Sequence, residues 1–354
     1  MRTRQTAILS VALILSMAGI LMLRNKLEPA SADSGKATSR VTPTPRERSA
    51  TTNRPTQTRP GGSKDFQSFS EKASSGEGVK LTPAEMENYL RSRNRDVESL
   101  LVVFRMTLDK ALIDEALEKA PNDPEVLLCA LRLPSQPEER LKLIEDFKRN
   151  APGNGIGNCL AARALMDLGR DQEAVAELSQ STGKPIDNFI IKSCQSVEEA
   201  FLSAGYSPLE SKTAALFGGN CPELLQLANP VWKKLESLRL GYESAGKDAD
   251  AQALRDLQAR IGHSLQQNST AVESVIGIAY EKNAWKGLDS PEALAYLQEL
   301  TLRREAIVEK SQQVDELRKD AAVPDSDWLL YLDRIKIFGE QAANDWILQR
   351  HPGR

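Results

Sequence analysis

The pattern Gly-basic-Asp-x-acidic-Ala occurs twice in the chain, as Gly169-Arg170-Asp171-Gln172-Glu173-Ala174 and as Gly246-Lys247-Asp248-Ala249-Asp250-Ala251. Glycine ends a helix without steric cost, and acids in the next turn complement the positive end of the helix that follows. Each copy therefore reads as the turn of a helical hairpin. A degenerate copy, Gly205-Tyr206-Ser207-Pro208-Leu209-Glu210, lies between them, so the glycines recur at spacings of 36 and 41. Periods of this size belong to stacked helix pairs. Leu, Ala, Glu, Lys, Arg and Gln abound after residue 80, whereas long β-branched runs are scarce. The fold class that follows is all-α, an irregular, α-solenoid-like array of antiparallel helical hairpins over residues 81–350.

The segment before Leu81 is of another kind. Arg2 and Arg4 precede an uncharged apolar run, 7–23, which Arg24 and Lys26 close. That length is at the short end for a membrane span and beyond a typical export-signal core, so residues 1–26 are expected to be a signal anchor, a single transmembrane helix touching the bilayer through residues 7–23. Ala30-Ser31-Ala32 offers a cleavage site, which would release the chain after Ala32. The short N-terminal tail favours a domain on the extracytoplasmic side, although the flanking charges nearly balance. Residues 27–80 are rich in Ser, Thr, Pro, Gly and Arg, with Phe66 and Phe69 as almost the only bulky apolar residues. Such a segment buries too little surface to offset its chain entropy and is expected to be a disordered tether, its aromatics incidental, with a docking segment around Phe66 and Phe69 as the alternative.

Charge divides the same way. Residues 1–80 carry 13 Lys/Arg against 6 Asp/Glu, and residues 81–354 carry 33 against 43. A foldable part with a net charge of −10 lacks the basic excess that phosphate neutralisation needs, so nucleic acid is not the expected partner. Cys129, Cys159, Cys194 and Cys221 stand about one repeat apart, without a C-x-x-C pair. They are expected to be small core residues, with disulfides open as an alternative outside the cytoplasm. Cys159 and Cys194 precede their turn glycines, Gly169 and Gly205, by nearly the same interval, which places them at equivalent positions on the first helices of two hairpins.

Punctuation in the rest of the chain is helical. Thr82-Pro83-Ala84-Glu85 is a capping box, Asp123-Pro124 a cap with proline at the first helical position, and Ser207-Pro208-Leu209-Glu210 a second box; Ser290-Pro291-Glu292 repeats it in part. Cys221-Pro222 and Asn229-Pro230 read as two further helix starts. Residues 272–285 predict a core helix that turns Val275, Ile276, Ile278, Ala279 and Trp285 to its neighbours. Residues 291–320 predict one long helix, with Leu300, Ile307 and Val314 facing the domain; a homodimer seam is the alternative, which the intervening Arg304 and Ser311 weaken. Trp328, Leu332, Ile335, Phe338, Ala342 and Trp346 fall at spacings of three or four, which predicts one helical stripe over residues 327–350 that caps the array, with partner docking as the alternative.

Ala116 followed by Pro121, and Ala162, Leu165, Gly169, Ala174 and Leu178 in order, resemble the tetratricopeptide repeat family. The match is best over residues 158–185 and returns in part over residues 235–255, around Leu238, Tyr242, Gly246 and Ala251. The family's tryptophan near the unit start is absent at Asn158. The resemblance implies antiparallel helix pairs whose small residues permit close approach and whose stacked units form a concave protein-binding surface.

Chemistry finds little support. His263 and His351 are the two histidines, and neither belongs to a nucleophile–base arrangement that the sequence reveals. Gly153-Asn154-Gly155-Ile156-Gly157 resembles a phosphate loop only superficially: it follows a helix and lacks the lysine, so it reads as a flexible turn. Asn268-Ser269-Thr270 matches a glycosylation sequon. Glu138/Glu139 and Glu198/Glu199 are adjacent in sequence and do not share a helix face, which leaves them solvated. No catalytic, cofactor-binding or metal-ligating residue is predicted. The expected function is that of a membrane-tethered scaffold or assembly factor that binds a protein or peptide in the cell envelope. An envelope enzyme acting on glycan through dispersed carboxylates and a spacer without a ligand are the alternatives.

Overall fold

The structure, a computed structural model, describes residue 69, residues 79–217 and residues 222–353. The apolar run 7–23, the Ala30–Ala32 motif and most of the segment 27–80 lie outside the described residues. Among the described residues all regular structure is helical. The helices are α1 (Pro83–Ser92), α2 (Val97–Thr107), α3 (Lys110–Lys119), α4 (Pro124–Ala130), α5 (Pro137–Asn150), α6 (Ile156–Asp167), α7 (Asp171–Ser181) and α8 (Ile190–Ser203). They continue as α9 (Pro208–Phe217), α10 (Pro222–Ser244), α11 (Asp248–Gln266), α12 (Ala271–Trp285), α13 (Pro291–Leu317), α14 (Asp325–Phe338) and α15 (Glu340–Arg350).

Most starts follow from local chemistry. Thr82 accepts the Glu85 amide while the Glu85 carboxylate takes the Thr82 amide, and Asp123 caps α4 ahead of Pro124. Ser207 and Glu210 exchange the same two bonds at α9, and Thr270 and Glu273 do so at α12. Asn229-Pro230 is an exception, because Pro230 lies inside α10 and starts no helix.

The three turn glycines share one backbone solution. Gly169, Gly205 and Gly246 have φ of +73°, +86° and +68°. In each, the amide just past the glycine donates to the carbonyl five residues back: Arg170 to Leu165 (2.9 Å), Tyr206 to Phe201 (3.1 Å) and Lys247 to Tyr242 (2.9 Å). This is the left-handed helix ending that satisfies orphan carbonyls, and only glycine adopts it freely. The turn at Gly205 is one residue longer before its helix begins. Ser211 consequently takes the buried place that Ala174 and Ala251 hold after the other two turns.

Helices α6 and α7 pair, as do α8 with α9, α10 with α11, and α11 with α12. Other contacts join helices that are not consecutive. Helix α6 packs on α10, whereas α8 packs back on α1 and α2, and α9 packs forward on α14. The α8–α9 pair thus joins the first helices to the last ones. Its polar seam is Glu198 on α8, which pairs with Lys212 (3.2 Å) on α9 and Lys336 (2.6 Å) on α14, while Lys212 also reaches Asp333 (2.5 Å). The largest apolar core gathers Phe147, Ile156, Leu178, Leu235, Leu257 and Tyr280 from α5–α7 and α10–α12. A second gathers α1–α4 with Phe201 and Ala214 from α8 and α9. Phe69 joins this second core, its ring 6.0 Å from that of Tyr206. That aromatic of the expected tether is therefore a packed residue.

Helices α11 and α12 meet at Gly262 and Gly277. A Cβ on Gly262 would stand 2.6 Å from the Gly277 carbonyl, and one on Gly277 would stand 2.4 Å from the Gly262 carbonyl. Backbone-to-backbone contact of this closeness excludes any side chain. Ile278 on α12 is buried as expected, and so are Glu273, Glu281 and Asn283, which the apolar reading of this helix missed. Helix α13 buries Leu300, Ile307 and Val314 against its neighbours along a narrow stripe.

Residues 327–350 do not form one helix. The stripe breaks at Gly339 (φ +84°, ψ 163°), where the backbone turns and the Glu340 amide donates to the Ser269 carbonyl at 2.7 Å. Trp328, Leu332 and Ile335 remain in the core, at the heart of a third cluster with Tyr331, Ala343 and Ile347. Phe338 does not; it is 60% exposed.

Candidate functional site

Helix α14 has two apolar faces. The inner one carries Trp328, Tyr331, Leu332 and Ile335, all buried, with the Tyr331 hydroxyl donating to the Asn344 side-chain oxygen at 2.8 Å. The outer one carries Leu330, Arg334, Ile337 and Phe338, spaced i, i+4, i+7 and i+8, which brings them to one side of the helix. Leu330, Ile337 and Phe338 are 50%, 70% and 60% exposed, so three large apolar side chains stand in solvent on one short helix. Among the described residues, the other exposed large apolar side chains, Leu108, Leu202, Leu240, Val272, Leu294 and Leu302, are dispersed over five helices or their ends.

Arg334 stands at the centre of this face. Its guanidinium carbon lies 5.4 Å from the centre of the Phe338 ring and 4.8 Å from that of Trp346 on α15. Arg350 approaches Trp346 at 5.6 Å. The two arginines differ in what else holds them. Arg350 donates to Asp327 (2.8 Å), which also meets His351 (3.0 Å), and the Arg350 guanidinium holds the Asp327 carboxyl below the usual carboxylate range. Arg334 has no ion pair or hydrogen bond from its side chain to any described residue. A guanidinium flanked by aromatic rings keeps its charge and its in-plane donors while losing rotamer freedom.

A second convergence lies at the start of α12. The Glu340 carboxylate accepts the Ala271 amide at 2.8 Å, the Glu273 carboxylate accepts from Thr270, and Asn188 reaches Glu273 at 3.5 Å. Asn268 donates to the Ile186 carbonyl and Gln341 to Ser274. Burial pushes both Glu273 and Glu340 up in pKa despite these donors. Each acid serves as a cap for α12 and ties a distant segment to it, which is architecture.

Most of the other polar and thiol side chains are similarly engaged, while His263, Glu138 and Glu139 are exposed. His263 is exposed, 3.7 Å from Glu281, and His351 is fixed to Asp327 by the last helix. The Gly153–Gly157 segment is pinned: the Gly155 amide donates to the Pro185 carbonyl (2.7 Å), and the Asn154 side chain bonds the Asp187 carbonyl and the amides of Ile156 and Asp187. The expected flexible turn is a fixed junction whose Gly155 and Ile156 amides point inward. Asn268 of the sequon spends its amide nitrogen on Ile186. Glu138 and Glu139 are solvated as expected, while Glu199 pairs with Arg93 (2.7 Å) and Glu198 with two lysines. Cys129, Cys159 and Cys194 are all buried in the core, where burial pushes the Cys159 and Cys194 thiols up to about 11. Cys221 lies outside the described residues. Among the described residues no group of three or more His, Cys, Asp or Glu side chains is arranged to hold a metal.

No family model, curated protein or solved structure matches the chain. The site therefore rests on its own chemistry. Exposed Phe338 and half-buried Trp346 flank an arginine that has no acid among the described residues, and aromatics and arginine are enriched where binding energy concentrates at protein interfaces. Sequence reasoning placed Phe338 and Trp346 in a buried stripe and missed Leu330, Arg334 and Ile337. The signal that could have found them is their own spacing of four and three, which marks a second side of the same helix.

Proposed function

We propose that this chain is a membrane-tethered, all-helical protein of tetratricopeptide-like hairpins that acts as a protein-binding scaffold or assembly factor in the cell envelope. The observation that carries the reading is the outer face of α14, an apolar and arginine-bearing strip on an otherwise charged helical body. The tether comes from residues 7–23, whose apolar length suits a bilayer span, and the segment to residue 80 supplies reach. No helix among the described residues is long and apolar enough to cross a membrane. The folded part stands on the extracytoplasmic side. Its surface is the working part in this reading, since the buried thiols, His351 and the acids Glu198, Glu273 and Glu340 are engaged in packing, pairing or capping.

The test is crosslinking in intact membranes, with a photoreactive residue at position 337 and, as control, at the exposed position 302 of α13. A discrete protein adduct at 337 that is missing at 302 is the expected result. Recovery of the chain alone from both positions would sink the scaffold reading. Carbonate extraction and protease protection of the same membranes test the anchor and the side on which the domain stands.

A further inference from the structure

We propose that the outer face of α14, together with Trp346 of α15, docks an amphipathic helical segment of a partner protein, whose apolar side chains cover Leu330, Ile337 and Phe338 and whose carboxylate forks onto Arg334. The inference rests on the protein-binding reading and adds the chemistry of what binds.

Geometry sets the shape of the occupant. From Leu330 to Phe338 the strip runs for about 12 Å along the helix axis. Its residues lie on one face at i, i+4, i+7 and i+8, the spacing that a second helix covers with its own residues at three and four. A narrow row of this kind is too short for a broad sheet contact and suits two to three turns of helix. Phe338 and Ile337 crowd one end and Leu330 marks the other, so the apolar contact has two anchor points with Arg334 between them.

Electrostatics sets the charge. Arg334 is the one arginine of this cluster without an acid, and the Phe338 and Trp346 rings at 5.4 and 4.8 Å hold its guanidinium in place. Such a group binds carboxylate through two parallel N–H bonds, and the ordering cost is already partly met by the rings. Around it the other basic groups are neutralised: Lys336 by Glu198, Arg350 by Asp327 and Lys310 by Asp345. The local demand is therefore for one acid at one place, rather than for a polyanion. The net charge of −10 over residues 81–354 also opposes adsorption of this face to anionic lipid and association of two like copies.

The experiment uses the full-length chain and synthetic amphipathic peptides of about four helical turns with one leucine face, differing only in whether the central flanking position is Glu, Gln or Lys. Binding is read by fluorescence anisotropy. The Glu peptide is expected to bind about tenfold more tightly than the Gln peptide, and the Lys peptide more weakly still. Arg334→Ala should abolish the Glu-over-Gln preference, Arg334→Lys should restore only part of it, and Phe338→Ser should weaken Glu and Gln peptides alike by about tenfold. Unchanged thermal unfolding of these surface variants shows that the fold is intact. Equal affinity for Glu and Gln peptides would overturn the acid-specific proposal while leaving the scaffold reading to the crosslinking result. Failure of every peptide overturns it as well, as do Phe338-dependent binding to phosphatidylglycerol vesicles in place of peptide and a concentration-dependent dimer that Phe338→Ser dissolves.

Discussion

The hairpin around Gly169 and the hairpin around Gly339 both turn on a glycine with positive φ, and they use it differently. At Gly169 (φ +73°) a Cβ would meet nothing within 4 Å, and the turn is closed entirely by the backbone of its own helices. At Gly339 (φ +84°) a Cβ would stand 3.2 Å from the Ser269 carbonyl, and the neighbouring amide of Glu340 is bonded to that same oxygen. One glycine makes a local turn. The other makes a turn and a tertiary joint, which ends α14 just past Phe338. Local rules suffice for the first, whereas a contact with Ser269, three helices earlier in the chain, fixes the second.

The largest effect should separate the two faces of α14. Trp328→Ala is expected to cost about 3–5 kcal/mol in denaturant unfolding, because it empties a fully enclosed aromatic site. Phe338→Ala should fall within about 0.5 kcal/mol of the parent. Comparable losses at the two positions would mean that Phe338 is core after all and the comparison fails.

The glycines come next. Gly339→Ala is expected to cost about 3 kcal/mol, since its φ and ψ belong to a region that side chains avoid and the joint to Ser269 must give. Gly169→Ala should cost about 1 kcal/mol, the strain of the left-handed turn alone. Gly241, inside α10 with open space around it, is the control: alanine there should stabilise by about 0.5–1 kcal/mol, as it does in an exposed helix interior. Thermal melts of the three variants, ranked in that order, check the scheme.

The smallest effects are titrations. Glu340 has its folded pKa raised by burial, so its contribution is fully present below the unfolded value of about 4.3 and is lost as pH rises through the folded value. Glu340→Gln keeps an oxygen for the Ala271 amide without the buried charge, and should gain stability relative to the parent as pH goes from about 4 to neutral. Asp327 has the opposite sign. Held down by Arg350 and then His351, it contributes above the unfolded value of about 3.9, and that contribution disappears as pH falls through its folded value. Asp327→Asn should therefore flatten the acid limb of the stability profile. Parallel pH profiles for parent and variants would show that these joints are not coupled to folding.

The legible parts of the molecule share a property. The caps at Thr82, Asp123, Ser207 and Ser290 and the endings at Gly169, Gly205 and Gly246 are each completed by residues within about two helical turns. The Leu300, Ile307 and Val314 stripe was legible for a similar reason, since a long helix with one apolar residue every seven has one face to bury. Pro230 misled because proline was read as a start, whereas it lies inside α10. The site was the least legible. A stripe at spacings of three and four locates the core only while the helix continues, and nothing near Phe338 in sequence announces that Ser269 will meet the chain just beyond it.

By itself, then, the sequence determined the helical class, the hairpin turns, most helix starts and the division of charge between residues 1–80 and the rest. These are set by backbone hydrogen bonds, side-chain caps and apolar periodicity, all short in range. Tertiary structure alone decided that the α8–α9 pair bridges the first and last helices, that Glu273 and Glu340 share the start of α12, and that Leu330, Arg334, Ile337 and Phe338 face solvent. Those outcomes depend on which surfaces meet when many helices compete for burial, and only the packed chain settles that competition.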